Sequence, residues 1–159
     1  MPEFKGQLRL AGRVAILVSQ YNERVTGRLL EGALACCHDA GIPESRIDVV
    51  WLPGAFELGA AASAAAGTGR YGAIVGLGAV VRGETAHFDF VAGEAARGLS
   101  EVAVRHGLPV AFGVLTTETM EQALARAGGA AGNKGYEATE AALRTADALA
   151  QLKAAHAPA

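Results

Sequence analysis

Much that would announce a function is scarce in this chain. Its aromatic residues are five Phe, three Tyr and one Trp among 159 residues, with two cysteines and four histidines. Cys36 and Cys37 are adjacent on a predicted helix, where neighbouring side chains diverge by about 100°. They are poor partners for each other, no histidine stands at metal-ligand spacing to them, and buried, reduced thiols are expected. A formal net charge of −2 gives no electrostatic reason to expect a nucleic acid or an anionic membrane as partner. Neither a signal peptide nor about 18 uninterrupted apolar residues occurs, so a cytoplasmic location is expected.

What is abundant is small and apolar. Hydrophobic residues make up 51% of the chain, and the 21 glycines lie among apolar runs. That placement implies close-packed layers and tight turns instead of disorder. The length suits a single domain over residues 1–159 with a real core. Residues 1–11, with "MPEFKGQL", read as an N-terminal arm, and "AAHAPA" contains a flexible tail at 155–159; neither is expected to contact the core.

Between these ends the apolar period switches repeatedly. "RVAILVSQ" from Arg13 is a continuous apolar run, the mark of a strand covered on both faces. A helix with Leu30, Ala33, Leu34 and Cys37 on one stripe comes next, stopped by Gly41 and Pro43. "RIDVVWL" to Leu52 is the next strand and "AFELGAAASAAAG" a short helix. "YGAIVGLGAVV" to Val81 is the third strand, with a long helix from about Thr85 to His106, and "PVAFGVLT" to Thr116 is the fourth. Thr119 and Gln122 form a capping-box pattern for a short helix ending at Gly128, and Asn133 caps a last helix to about Ala154. Four alternations of strand and helix predict a parallel sheet with helices on both sides.

Ligands of such sheets bind beyond the carboxyl ends of the strands. That rule selects "SQYNER", "LPGAFE", "RGETAH" and "TTETMEQ", each where a strand hands over to a helix. If Thr85 caps its helix, His87 lies in the first turn, beside unpaired N–H groups and the positive end of the dipole. A second positive charge is disfavoured there, which suits a neutral, proton-accepting imidazole; the alternative is a structural histidine bonded to a carbonyl or to Asp89. Gly83, Glu84 and Thr85 either seat an anion at the helix N-terminus or merely turn the chain and stabilise the dipole. Glu57 either binds a ligand or reaches back as a cap. Tyr21 and Phe112 are core aromatics or stacking surfaces; Arg126 and Lys134 are solvated cations or anion clamps. "GLGAVVRG" is neither a phosphate loop nor a dinucleotide fingerprint.

In combination these segments resemble the lumazine synthase family, from about Gly12 to Ala150. The resemblance rests on "YNE", "PGAFEL", "GAVVRGETAHFDFV", "PVAFGVLTTETMEQALARAGG" and "GNKGYEATEAAL", in that order and spacing. It implies a three-layer α/β/α, flavodoxin-like sandwich with a four-stranded parallel sheet in the order 2-1-3-4. The implied reaction condenses 5-amino-6-(D-ribitylamino)uracil with 3,4-dihydroxy-2-butanone 4-phosphate to give 6,7-dimethyl-8-ribityllumazine, phosphate and water, the penultimate step of riboflavin biosynthesis. No metal and no organic cofactor takes part in the family.

By similarity, Tyr21 stacks on the pyrimidine, Ala55, Phe56 and Glu57 hold the ribityl-bearing substrate, and Ala79, Val80 and Val81 line the same pocket. Glu84 and Thr85 belong to the seat of the phosphate-carrying substrate, with Arg126 as its clamp and Lys134 assisting. His87 is the proton-transfer residue. Phe112 and Arg126 come from a neighbouring subunit, which requires an oligomer, and the resemblance implies a homopentamer. The uninterrupted "GGAAGNKG" resembles members that build sixty-subunit icosahedral shells, in which the arm can add a strand to a neighbour's sheet. Riboflavin synthase is the further partner implied. The competing class is a non-catalytic flavin- or lumazine-binding relative, or a cage; retention of His87, Arg126 and the pocket argues against it. Three positions depart from the family pattern: Tyr21 stands for the usual Phe or Trp, Gly59 for a frequent Pro, and Phe90 for the commoner Tyr.

Overall fold

A computed structural model describes residues 1–158. Seven-residue β1 (Arg13–Ser19) lies at the centre of a four-stranded sheet, and its burial explains its unbroken apolar sequence. Val14, Ile16 and Val18 enter one core, with Leu29, Cys36 and Leu143; Ala15 and Leu17 enter the other, with Leu58, Ile74 and Leu99. Alternation of side chains along a strand produces this division, and helices on both faces keep both sets from water.

On one side β1 pairs in parallel with β2 (Ile47–Leu52), from Val14↔Ile47 to Ser19↔Leu52. On the other it pairs with β3 (Tyr71–Val81), which pairs in turn with β4 (Val110–Thr117). The order β2-β1-β3-β4, all parallel, is that of a flavodoxin-like three-layer sandwich. One layer contains α1 (Glu23–Asp39) and the last helix, α5 (Lys134–Ala155); the other contains α2 (Leu58–Gly67) and α3 (His87–His106). Short α4 (Met120–Ala125) leads into a small antiparallel hairpin, β5 (Ala127–Gly129) and β6 (Gly132–Asn133). Both expected caps form: Thr119 and Gln122 make the reciprocal capping box, and the Asn133 side chain accepts from the N–H groups of Gly135 and Tyr136.

Several details differ from the sequence reading. In α1 the buried stripe is Val25, Leu29, Ala33, Cys36 and Cys37, while Leu34 is exposed. The helix begins at Glu23, and its contact with the sheet and α5 turns Leu34 outward. Burial pushes the Cys36 thiol up to about 12 and that of Cys37 up to about 11, as expected of unreactive interior cysteines. The helix opened by Thr119 ends at Ala125 rather than Gly128, because the chain turns into the hairpin with Gly128 at φ 95°. β2, read as a strand like the others, is an edge with Val49, Val50 and Trp51 partly exposed.

The arm is not without contacts. Leu8 and Leu10 pack against the core. The backbone N–H of Gln7 and Nε of Arg9 each donate to the Asp147 carboxylate at 2.7 Å. Gly6 lies so close to the Arg144 carbonyl that no side chain would fit there. The two donors hold the Asp147 carboxyl below the usual carboxylate range. Of the tail expected at 155–159, Ala155 ends α5, the His156 ring meets Phe4 edge-on at 6.3 Å, and position 159 lies outside the described residues.

Gly59 also has a structural cause. A Cβ there would stand 3.2 Å from the Cα of Gly98, so this pair of glycines brings α2 and α3 into backbone contact. Among the described residues no helix is long and apolar enough to cross a membrane.

Candidate functional site

The carboxyl ends of β1, β2 and β3 surround a cavity of about 650 Å³. The segment leaving each strand lends side chains to its wall. After β1 comes Tyr21, a lining residue that is 74% exposed, so of its two readings the core one is excluded. After β2, a single 3-10 turn (Ala55–Glu57) presents Phe56 and Glu57. The end of β3 supplies Ala79, Val80 and Val81, and the turn beyond it supplies Gly83, Thr85 and His87. Backbone bonds hold these loops against one another: Gln20 N–H donates to the Leu52 carbonyl at 2.7 Å and Tyr21 N–H to Pro53 at 3.0 Å.

The capping alternative for Glu57 is not realised. No side chain caps either the 3-10 turn or α2; the Glu57 backbone N–H donates to the Gly54 carbonyl, and the residue lines the cavity. α3 starts at His87, two residues later than the sequence suggested, with Ala86 as N-cap. Thr85 keeps part of the expected role, since its Oγ1 accepts from the His87 N–H at 3.4 Å. His87 is thus the first helical residue, exposed, on the cavity wall and beside the unpaired N–H groups of the opening turn. Its suggested structural partner, Asp89, is engaged elsewhere: Asp89 accepts from Nη2 of Arg82 at 3.4 Å. Arg82 also reaches Glu118 at 3.0 Å and lies 4.3 Å over the Phe88 ring, which lines the cavity. Glu84 occupies the same turn but does not line the cavity.

Phe112, Arg126 and Lys134 are not brought to this cavity. They share a separate depression of about 390 Å³ beside β4, with Thr116, Thr117 and Glu137. Phe112 is 38% exposed on the edge strand. The Arg126 side chain donates from Nη1 to the Gln122 carbonyl at 3.1 Å, the helix-end contact expected of a solvated arginine. Its carbonyl accepts from the Lys134 N–H at 2.8 Å, which keeps the two cationic residues adjacent. One chain therefore carries two separated groups: an aromatic and carboxylate-lined cavity with a histidine, and a patch with an exposed aromatic and two cations.

Among the described residues no three His, Cys, Asp or Glu side chains are grouped to hold a metal. Sequence reasoning assigned no part to Asn22, Arg82 or Phe88. The signal available for Asn22 was the tolerance of asparagine for left-handed backbone, which it adopts at φ 62°.

Comparison with known proteins adds two findings. Residues 11–150 match the family model described as 6,7-dimethyl-8-ribityllumazine synthase. A curated 6,7-dimethyl-8-ribityllumazine synthase from Edwardsiella ictaluri (strain 93-146) is 52% identical over 143 residues, which cover 89% of this chain and 92% of that relative.

Proposed function

The chain belongs to the 6,7-dimethyl-8-ribityllumazine synthase family, a transferase family of riboflavin biosynthesis, and from that premise we propose how its residues divide the reaction. The observation that carries the proposal is the cavity at the strand ends, in which Tyr21, Glu57 and His87 face one space. In it 5-amino-6-(D-ribitylamino)uracil lies with its ring on Tyr21 and against Ala79, Val80 and Val81. Its ribityl chain runs along Ala55, Phe56 and Glu57, whose carboxylate accepts from the hydroxyls.

The second substrate, 3,4-dihydroxy-2-butanone 4-phosphate, places its phosphate at the opening turn of α3, with Thr85 and Glu84 in the turn and Arg126 as clamp. Lys134, adjacent to Arg126, adds a second cation. Arg126, Lys134 and Phe112 lie apart from the cavity of their own chain, so a neighbouring copy supplies them and closes the site. The family's self-association takes the form of a homopentamer, and the uninterrupted connection before α5 extends it to an icosahedral shell of sixty chains. Riboflavin synthase is the partner such a shell would enclose. The whole chain, 1–159, serves as one domain, in the cytoplasm.

The chemistry needs proton movement more than covalent catalysis. The aromatic amine of one substrate adds to the ketone of the other, and loss of water leaves an imine. Phosphate leaves with its C–O bond electrons after a proton is taken from the adjacent carbon; the ribityl-bearing amine then closes the ring with loss of a second water. His87 moves these protons, worth about 10²–10⁴-fold, while the helix N-terminus and Arg126 hold the departing phosphate. Juxtaposing the two substrates supplies the entropic share of the acceleration.

The test is to mix the protein with both substrates and measure lumazine absorbance and phosphate release together. Both should appear in equal amounts, and His87→Ala should slow them without abolishing them. An unchanged rate in His87→Ala removes that residue from proton transfer.

A further inference from the structure

We propose that Asn22 is a positioning residue for the condensation, tying the Tyr21 segment to the end of β3, the two parts of the cavity assigned to the pyrimidine ring. The inference deepens the reading of the cavity given above and rests on it. Asn22 is the single non-glycine with positive φ among the described residues, at φ 62° and ψ 45°. Left-handed backbone is unfavourable for a residue with a Cβ, and such outliers persist where surrounding contacts hold them.

Two sets of contacts hold this one. The Asn22 carbonyl accepts from the N–H groups of Val25 at 2.9 Å and Thr26 at 3.0 Å, opening α1. Its side chain stands at the N-cap of that helix yet makes no capping bond. Instead Nδ2 donates to the carbonyl of Ala79, 57 residues away, at 2.9 Å.

The sheet explains why that carbonyl needs a donor. The β1–β3 ladder ends at Val18↔Leu77, whereas β3 continues to Val81 with only β4 beside it. Ala79, 3% exposed, lies in this extension, where β1 no longer supplies N–H groups. An unpaired buried carbonyl is costly, and the Asn22 amide takes the place of the missing strand. The preceding residue is Tyr21, whose own N–H is bonded to Pro53 on the other side. Residues 21 and 22 are therefore tied to the ends of both β2 and β3. The left-handed turn aims the Asn22 amide at Ala79, while Tyr21, its neighbour in the chain, lines the same cavity.

Three variants separate the roles. Asn22→Gly keeps the left-handed turn without steric cost and deletes the amide. Asn22→Asp keeps the size and the tolerance for that turn but presents a carboxylate to the Ala79 carbonyl. Tyr21→Ala tests the cavity itself. Steady-state kinetics with each substrate varied, beside thermal melts, should show the KM for 5-amino-6-(D-ribitylamino)uracil raised roughly three- to tenfold in Asn22→Gly, the ratio for one hydrogen bond. Asn22→Asp should raise it at least as far, with the KM for the butanone phosphate near that of the unaltered protein; the melting temperature should fall in both variants, because the buried Ala79 carbonyl loses its donor.

An unchanged KM in Asn22→Gly beside a raised one in Tyr21→Ala overturns the role of Asn22 and leaves the cavity assignment standing. Equal loss for both substrates in Asn22→Gly shows a merely structural residue and overturns it as well. An unchanged KM in Tyr21→Ala overturns the cavity assignment and the inference with it.

Discussion

Replacing Arg126 by alanine separates substrate binding from stability, because the structure gives the side chain so little to do within its own chain. The guanidinium is exposed and makes one hydrogen bond, from Nη1 to the Gln122 carbonyl at 3.1 Å. The backbone contacts at this position, from its N–H to Ala123 and to its carbonyl from Lys134, survive the substitution. Loss of one exposed bond costs about 0.5 kcal/mol or less, so the melting temperature should barely move. Against phosphate the same side chain makes charge-assisted bonds worth about 1.5–3 kcal/mol. Converted at 1.4 kcal/mol per tenfold, the KM for 3,4-dihydroxy-2-butanone 4-phosphate should rise by about 10- to 150-fold. The KM for the ribitylaminouracil should not change with it, because its site is assigned to the cavity. Initial rates with one substrate saturating and the other varied read the two constants separately. An unchanged KM for the phosphate substrate, in a protein that melts normally, would refute the clamp.

Two further perturbations test the architecture. Gly59→Ala gains up to about 1 kcal/mol of helix propensity, but its methyl would stand 3.2 Å from the Cα of Gly98. Overpacking of that kind costs about 1–3 kcal/mol, so denaturant titration should show a net loss; a stabilised variant would mean that α2 and α3 separate freely. For the arm, the Asp147 carboxyl is depressed by the Gln7 N–H first and by Arg9 next. Docking that depends on its charge is complete above the ordinary carboxylate pKa and is lost as pH falls through the depressed folded value. Asp147→Asn should therefore lower the protection factor of the Gln7 amide near neutral pH, as strong acid does in the unaltered chain; undiminished protection in the variant would show that the arm's other contacts hold it.

How much of this could be read beforehand depended on whether the cause was local. β3 was legible to the residue, because its apolar run is bounded by Arg70 and by the charged turn after Val81. The cavity residues in the turns after β1, β2 and β3 were legible because the strand-end rule needs only the order of strands and helices. Ala79, Val80 and Val81 came only from the family resemblance, and the segment after β4 that the rule also selects does not line the cavity. The edge character of β2 was not, since "IDVVWL" is apolar on both faces apart from Asp48 and nothing within it records that only β1 lies beside it. The gathering of Phe112, Arg126 and Lys134 into one patch also escaped local reasoning. It depends on the β5–β6 hairpin folding back, with Gly128 and Gly132 at positive φ, to put Lys134 beside Arg126. Asn22 was hidden for a related reason: its partner, Ala79, is far along the chain, and its need for one arises from where β1 stops.

The central claim is that one chain's cavity works with another chain's cations, and mixing two crippled proteins tests it most directly. His87→Ala lacks a group of the cavity, and Arg126→Ala lacks a group of the separate patch. When the two are produced together and assemble at random, about a quarter of the sites should combine an intact cavity from one with an intact clamp from the other. Lumazine formation should then rise well above the average of the two variants measured alone. If cavity and clamp belong to the same chain, no mixed assembly contains an intact site, and activity would stay at that average.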